Sequence, residues 1–254
     1  MDFTIDKYRE LVLALKGAGY EFVRYDEYCE GQRAERMVVM RHDVDRSVER
    51  AKRLAEIEKE MDVKASYYFR ERFIGDDVVC IASLGHEVGY HYEDLVEEKG
   101  DVDRAYARCM RNIEILRQLV DVRTITMHGS PMSGIDSGEL WRRYNYRDIG
   151  IIGEPRFDIN WSEMFYLTDT GRSWNGVSRR DKINKFQYIW ENKCFIYRRT
   201  DDIIKALEQG KFPTKVMITI HPQRWSEGIM HWLKEFVFQS CKNVLKFILL
   251  KIFN

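Results

Sequence analysis

Proline is scarce in this chain, with four residues in 254, and glycine supplies only 16. That composition excludes collagen-like and Pro/Gly-rich disordered classes. Neither sign of charge is in excess: 41 Lys plus Arg balance 41 Asp plus Glu. The chain therefore lacks the overall basic footprint of a dedicated nucleic-acid binder, and no nucleic-acid partner is expected. The five cysteines, Cys29, Cys80, Cys109, Cys194 and Cys241, are odd in number, widely spaced and contain no C-x-x-C pair. A cysteine-based zinc site and a disulfide framework are both disfavoured by that spacing. No run of about 18 uncharged apolar residues occurs, so no transmembrane segment is expected. The first residues, MDFTIDKYRE, contain no apolar signal core. The expectation is a cytoplasmic, reduced protein.

What is present is ordinary for a globular domain. Hydrophobic residues make up 44% and charged residues 32%, the latter above the usual value of roughly 25%. Helical periodicity is clear over 5–17, 47–60 (with Ser47 at the N-cap position) and 101–120, and 76–84 and 201–209 also read as helices. Strands are predicted at 37–43, 64–70, 86–91, 124–130, 148–154, 164–169, 193–198 and 215–221, with a short β-like run at 20–25. Residues 175–190 give no clear pattern. The last 30 residues read as a helix. Strands alternate with helices and no linker interrupts them, which predicts a single-domain α/β fold with a parallel sheet.

Several predicted strands end in groups that carry chemistry. The first ends in Arg41, His42, Asp43, Val44 and Asp45; the third in His91, followed by Glu93; the fourth in His128; the last in His221. In parallel barrels, active sites sit at the C-terminal ends of strands. Side chains alternate with period two, so Asp43 and Asp45 share the face of Val39 and Arg41, while Val38 and Met40 take the other. His128 shares a face with Thr124 and Thr126, and His221 with Thr219. His86 and His42 fall on the opposite faces from His91 and Asp43 and are read as structural. Carboxylates and imidazoles without thiolates suit a divalent ion such as Zn, Co, Ni or Mn. Taken alone, an Asp-x-Asp after a strand is also a common turn or helix cap, and spacing by itself does not name a reaction.

The motifs resemble the polysaccharide deacetylases of carbohydrate esterase family 4, the NodB-homology superfamily. RHDVD (41–45) is similar to the family's aspartate-bearing first motif. GHEVGYH (85–91) is similar to its G-H-E-[IV]-G-x-H, MHGSP (127–131) stands where an intermediate motif belongs, and ITIHPQRW (218–225) is similar to the late histidine motif. YLTDTGRSW (166–174) resembles a divergent branch linked to surface-polysaccharide synthesis. The resemblance implies a distorted parallel (β/α) barrel over 1–225 and a helical extension over 226–254. It implies metal-dependent removal of an acetyl group from an N- or O-acetylated sugar, with Asp43 as general base, His221 as general acid and His91 as a metal ligand. Two departures stand out: Val44 separates the two aspartates, and Leu95 occupies the place of the family's second histidine. Asp45 is then the carboxylate ligand, with His128 the first replacement for the missing histidine and Glu93 the second. Asp169, Arg172 and Trp174, with Glu93, are candidates for sugar binding; the alternative for the 169–174 group is a salt-bridged loop around a packed Trp.

Two other readings remain open at this point. One is a catalytically inactive barrel that binds a saccharide or a protein partner; the other is a metal-assisted hydrolase acting on a non-acetyl C–N bond. The apolar C-terminus, VLKFILLKIFN (244–254), fits either a peripheral membrane-surface helix or a helix packed on the barrel or at a subunit contact. The oligomeric state is not legible.

Overall fold

The computed structural model describes residues 1–130, 133–174 and 184–252. Residues 175–183, within the stretch that gives no clear pattern, and Pro131 of the intermediate motif lie outside them. In chain order the helices and strands are α1 (Ile5–Gly17), β1 (Glu21–Phe22), α2 (Tyr25–Cys29), β2 (Met37–Val44), α3 (Val48–Glu60), β3 (Ser66–Phe69), α4 (Asp76–Ser83), β4 (Glu87–Tyr92) and α5 (Asp94–Glu97). They continue with α6 (Val102–Arg117), β5 (Ile125–Met127), α7 (Leu140–Arg143), α8 (Pro155–Asp158), β6 (Phe165–Thr168), α9 (Asn184–Asn192), α10 (Thr200–Glu208), β7 (Lys215–Ile220) and α11 (Ile229–Ile252).

The strands form one sheet in the order β5-β4-β3-β2-β7-β6, with β1 pairing the first residues of β2. Every pairing is parallel. The sheet curls into a distorted, incompletely closed (β/α) barrel. Strand parity divides the interior as expected. Met37 and Val39 pack inside with Tyr68, Tyr166 and Met217. Val38, Met40 and Val44 face the helical layer with Tyr8, Leu11 and Leu15 of α1 and Leu54 of α3. Helix α1 forms because Tyr8, Leu11, Val12 and Leu15 recur at helical spacing and are all buried, and because the Thr4 hydroxyl accepts from the Lys7 N–H at 3.2 Å. Ser47 does stand at the N-cap of α3, but its side chain makes no capping bond.

Glycine has specific work in the third motif. Gly85 turns the chain at φ +96° before β4. A Cβ at Gly89 would lie 2.6 Å from the Thr124 carbonyl oxygen and overlap the Tyr68 ring, so only glycine lets β4 approach these groups inside the barrel.

Two predicted strands are not strands. Residues 148–154 begin in a 3-10 turn over Tyr146–Ile149, closed by Gly150 in the left-handed conformation. The chain then touches the sheet at a single bridge, Thr124 to Gly153, before Pro155 opens α8. Residues 193–198 carry no ladder either; Phe195 and Tyr197 pack on Phe165, so their alternation reports core contact rather than pairing. The short helices α2 and α5 were invisible because one turn is too short to show a period.

Helix α11 docks on the barrel through its polar and aromatic side. The Trp232 indole N–H donates to the Asp2 carbonyl at 2.6 Å, His231 Nδ1 bonds the Ser226 hydroxyl at 2.9 Å, and Asn243 Nδ2 donates to the Gly171 carbonyl at 3.1 Å. Among the described residues, no helix is long and apolar enough to cross a membrane.

Candidate active site

The end of β2 delivers two carboxylates to the C-terminal mouth of the barrel. Arg41, two residues before Asp43 and therefore on its face, grips it through two bonds of 2.7 Å, Nε to Oδ1 and Nη2 to Oδ2. Both side chains are buried. Val44 does not keep the two aspartates apart in space. Past the strand end the chain bends, with the Asp45 N–H donating to the Asp43 carbonyl at 3.0 Å, and both carboxylates come to the same imidazole. His91 Nε2 lies 3.8 Å from Asp43 Oδ2 and 3.4 Å from Asp45 Oδ1.

Asp45, His91 and His128 form a compact group whose ligand atoms lie within 4.8 Å of one another. Asp45 Oδ1 is 3.4 Å from His91 Nε2 and 3.5 Å from His128 Nε2. Ligands at about 2.1 Å from a common tetrahedral ion stand roughly 3.4 Å apart. The same oxygen is buried with no hydrogen-bond partner, a costly arrangement unless a cation occupies the space it faces. Charge gives a second test of fit. Asp43, Glu93 and Asp169 are each paired with an arginine, namely Arg41, Arg70 and Arg224. Among the described residues, the Asp45 carboxylate has no arginine or lysine partner: its ion pairs are with the imidazoles of His91, His128 and His221, and Oδ2 accepts from Gln223 Nε2 at 3.4 Å. The donor set thus fits a divalent ion.

The histidines are held from behind. His91 Nδ1–H donates to the Thr126 carbonyl at 3.0 Å, which leaves Nε2 with its lone pair toward the site. His128 Nδ1 lies 3.0 Å from Glu93 Oε2, and Glu93 is itself gripped by the Arg70 guanidinium. This is the carboxylate–histidine arrangement that commonly fixes the orientation of metal-binding imidazoles. The two rings meet edge to face, with centroids 5.1 Å apart. Leu95, in the place of the family's second histidine, is a core residue of α5.

Across the mouth, His221 follows β7 and is oriented by Asp169, the residue after β6. Asp169 Oδ1 is 2.6 Å from His221 Nδ1, and Asp169 Oδ2 accepts the His221 backbone N–H at 2.9 Å. Arg224 and the Trp225 indole N–H hold the same carboxylate at 2.7 and 2.9 Å. His221 Nε2 points into the site, 3.8 Å from Asp45 Oδ2.

Burial pushes all these carboxyls toward neutrality, yet each is held below its ordinary range. For Asp43 the opposing causes are the Arg41 charge, then His91 and His221. For Asp169 they are Arg224 and His221. Asp45 is driven well down by His91, His221 and His128, and Glu93 to about 2 by His128 and Arg70. The site therefore presents anions at neutral pH.

Of the predicted site residues, Asp43, Asp45, His91, His128 and His221 meet at the mouth. Glu93 supports His128 instead of facing a ligand. Asp169 is fully enclosed and orients His221, and Trp174 is 1% exposed, donating to the Thr200 hydroxyl and packing on Phe3 and Trp225. Both side chains are therefore enclosed by the protein. Arg172 lies over the rings of Phe3 and Trp232, which ties it to α11. His86 and His42 are buried away from the group at the mouth. His86 bridges Ala65 N–H and the Ala55 carbonyl, and His42 pairs with the buried Glu58 at 2.8 Å. The sequence reading missed Arg41, Arg70, Arg224 and Trp225 as supports. Arg41 was detectable from its i, i+2 relation to Asp43, and Arg224 and Trp225 lie inside the late motif.

No protein-family model matches the chain, and no curated protein matches it. Among solved structures, the chain is similar to members of carbohydrate esterase family 4 and to peptidoglycan deacetylases. One is a family pseudoenzyme from Bacillus anthracis (15% identity, TM-score 0.41), where the match covers 84% of this chain and 63% of that one. Another is the catalytic domain of a peptidoglycan N-acetylglucosamine deacetylase from Eubacterium rectale (11%, TM-score 0.48, 84% and 87%). A third is a family esterase from Streptococcus mutans (13%, TM-score 0.46, 80% and 84%). The chain thus spans under two thirds of the length of the pseudoenzyme.

Proposed function

We propose that this chain is a metal-dependent hydrolase that removes an acetyl group from an N- or O-acetylated sugar. The observation that carries the proposal is the orphaned, buried Asp45 Oδ1 facing two imidazole nitrogens at 3.4 and 3.5 Å. Asp45, His91 and His128 would hold one divalent ion, zinc first, with Co, Ni or Mn as alternatives. Such an ion supplies Lewis acidity and makes water a competent nucleophile near neutral pH. Asp43 is the carboxylate placed to take a proton from the attacking water; Arg41 fixes both of its oxygens and keeps it ionised. His221 Nε2 is placed to give a proton to the departing nitrogen or oxygen, and Asp169 stabilises the imidazolium by its bond to Nδ1. The 166–174 resemblance makes surface-polysaccharide synthesis the setting we favour.

Two features favour a second reading, an inactive saccharide-binding or protein-binding barrel: Leu95 where the family carries a histidine, and an Asp43 whose two oxygens are both engaged by Arg41. Acetate release from a panel of N- and O-acetylated saccharides, measured after chelation and after addition of Zn or Co, separates them. Release that requires the ion supports the hydrolase. A protein that binds the ion but frees no acetate from any substrate is a binding scaffold.

A further inference from the structure

The outward side of α11 is apolar. Ile229 and Met230 are 58% and 77% exposed, and Leu233, Phe236 and Val237 are 45%, 47% and 58% exposed. Met230, Leu233 and Val237 recur at helical spacing, opposite Trp232, Gln239 and Asn243, which touch the barrel or lie against it. In the sequence the same spacing continues through Val244 and Ile248. An unpartnered apolar stripe on a helix otherwise fixed to its own domain marks a contact surface.

Charge selects the occupant. From Ile229 to Asn254 the sequence carries four lysines, Lys234, Lys242, Lys246 and Lys251, against one acid, Glu235. Lys234 is exposed beside the stripe, whereas Glu235 is half-buried and turned toward the barrel. Two copies of this helix laid together through the stripe would set Lys234 against Lys234 with no acid beside the stripe to answer it. A basic amphipathic helix with a broad apolar side instead matches an anionic bilayer surface, where the apolar side chains enter the acyl boundary and lysines reach the headgroups.

We propose that α11 is an interfacial anchor that seats the protein on membranes rich in anionic lipid. The anchor is coupled to the mouth of the barrel. Asn243 holds the Gly171 carbonyl, two residues from Asp169, and the Arg172 guanidinium lies 5.0 Å from the Trp232 ring. The anchor does not depend on the hydrolase reading, and its test needs no turnover.

The full chain is mixed with vesicles of phosphatidylcholine alone or of phosphatidylcholine with phosphatidylglycerol, and partitioning is measured by co-sedimentation at low and high salt. The expected result is binding to the anionic vesicles that weakens with salt and exceeds binding to neutral vesicles by at least tenfold. Lys234→Gln should weaken it about fivefold. Met230→Asp with Val237→Asp should abolish it while the circular dichroism of the barrel stays unchanged. Equal partitioning to both vesicle types overturns the proposal. So does a stable dimer, lost in Val237→Asp, from a chain that ignores vesicles, because the stripe would then belong to a second copy.

Discussion

Asp169 receives two N–H groups of one residue: the His221 ring at 2.6 Å and the His221 backbone at 2.9 Å. Because both bonds come from a carboxylate with no exposure, the imidazole is fixed in position and tautomer with Nε2 free toward Asp45. Asp169→Asn would keep the shape and reverse the preferred donor at Nδ1. Turnover on an N-acetyl sugar should fall roughly 10²–10⁴-fold, with ion affinity unchanged. His221→Ala should match that loss on the amide but lose far less on an activated aryl acetate, whose leaving group needs little protonation. Equal losses on both substrates would remove the acid role from His221.

The ligand set makes a calorimetric prediction. The wild type should bind about one zinc per chain. His91→Ala or His128→Ala should abolish tight binding, and Glu93→Gln, which weakens only the hold on His128, should cost about 10–100-fold in affinity. Asp43→Asn should bind the ion nearly as well as wild type and turn over no substrate. Equal loss of ion binding in Asp43→Asn and Asp45→Asn would mean that base and ligand have been divided wrongly.

Much of this arrangement was legible because strand parity and strand ends follow from local pattern. The period of two put Arg41, Asp43 and Asp45 on one side, and His91, His128 and His221 each ended a strand whose apolar half was obvious. The pairings that complete the site were not legible. Arg70 reaches Glu93 across 23 residues and Asp169 reaches His221 across 52, distances that no periodicity encodes. Trp174 failed for a related reason: an aromatic after a strand can stack on a ligand or fill the core, and only the packing of Phe3 and Trp225 decides. The misread strands at 148–154 and 193–198 have strand-like composition, but the chain there lies beside the sheet without sharing its ladder.

Gly89 offers a test of the fold that leaves the chemistry aside. Gly89→Ala would drive a methyl group into the Thr124 carbonyl and the Tyr68 ring, and neither can move without disturbing a buried bond between Tyr68 and Thr124 at 2.8 Å. Overpacking of this kind costs about 1–3 kcal/mol. For a chain of this size that lowers Tm by roughly 2–12 °C. Gly85→Ala, strained by its positive φ but free of neighbours within 4 Å, should cost less. A scanning calorimetry result in the reverse order would refute the close-approach argument.

Glu58 should make stability depend on pH in a definite direction. It is fully buried on the helical side of the sheet, where it accepts from Tyr8 and, at 2.6 Å, Tyr67, pairs with His42 at 2.8 Å, and lies 3.7 Å from His86. Burial raises its pKa, but His42, His86 and Tyr67 outweigh burial and hold it below the ordinary 4.5. A carboxyl lowered on folding contributes stability that is complete above its unfolded pKa and is lost as the pH falls through the folded one. Glu58→Gln leaves three donors with one oxygen to share, so urea unfolding at pH 7 should show a loss of about 3–5 kcal/mol, as for a broken buried ion pair. As the pH falls through the lowered folded pKa of Glu58, below 4.5, the wild type protonates the same group, and the gap between the two proteins should narrow. Asp43, Asp45, Glu93 and Asp169 titrate alike in both proteins, so the comparison isolates the cluster of Glu58 with His42 and His86. A gap of the same size at pH 7 and in acid would show that Glu58 acts through packing and not through its charge.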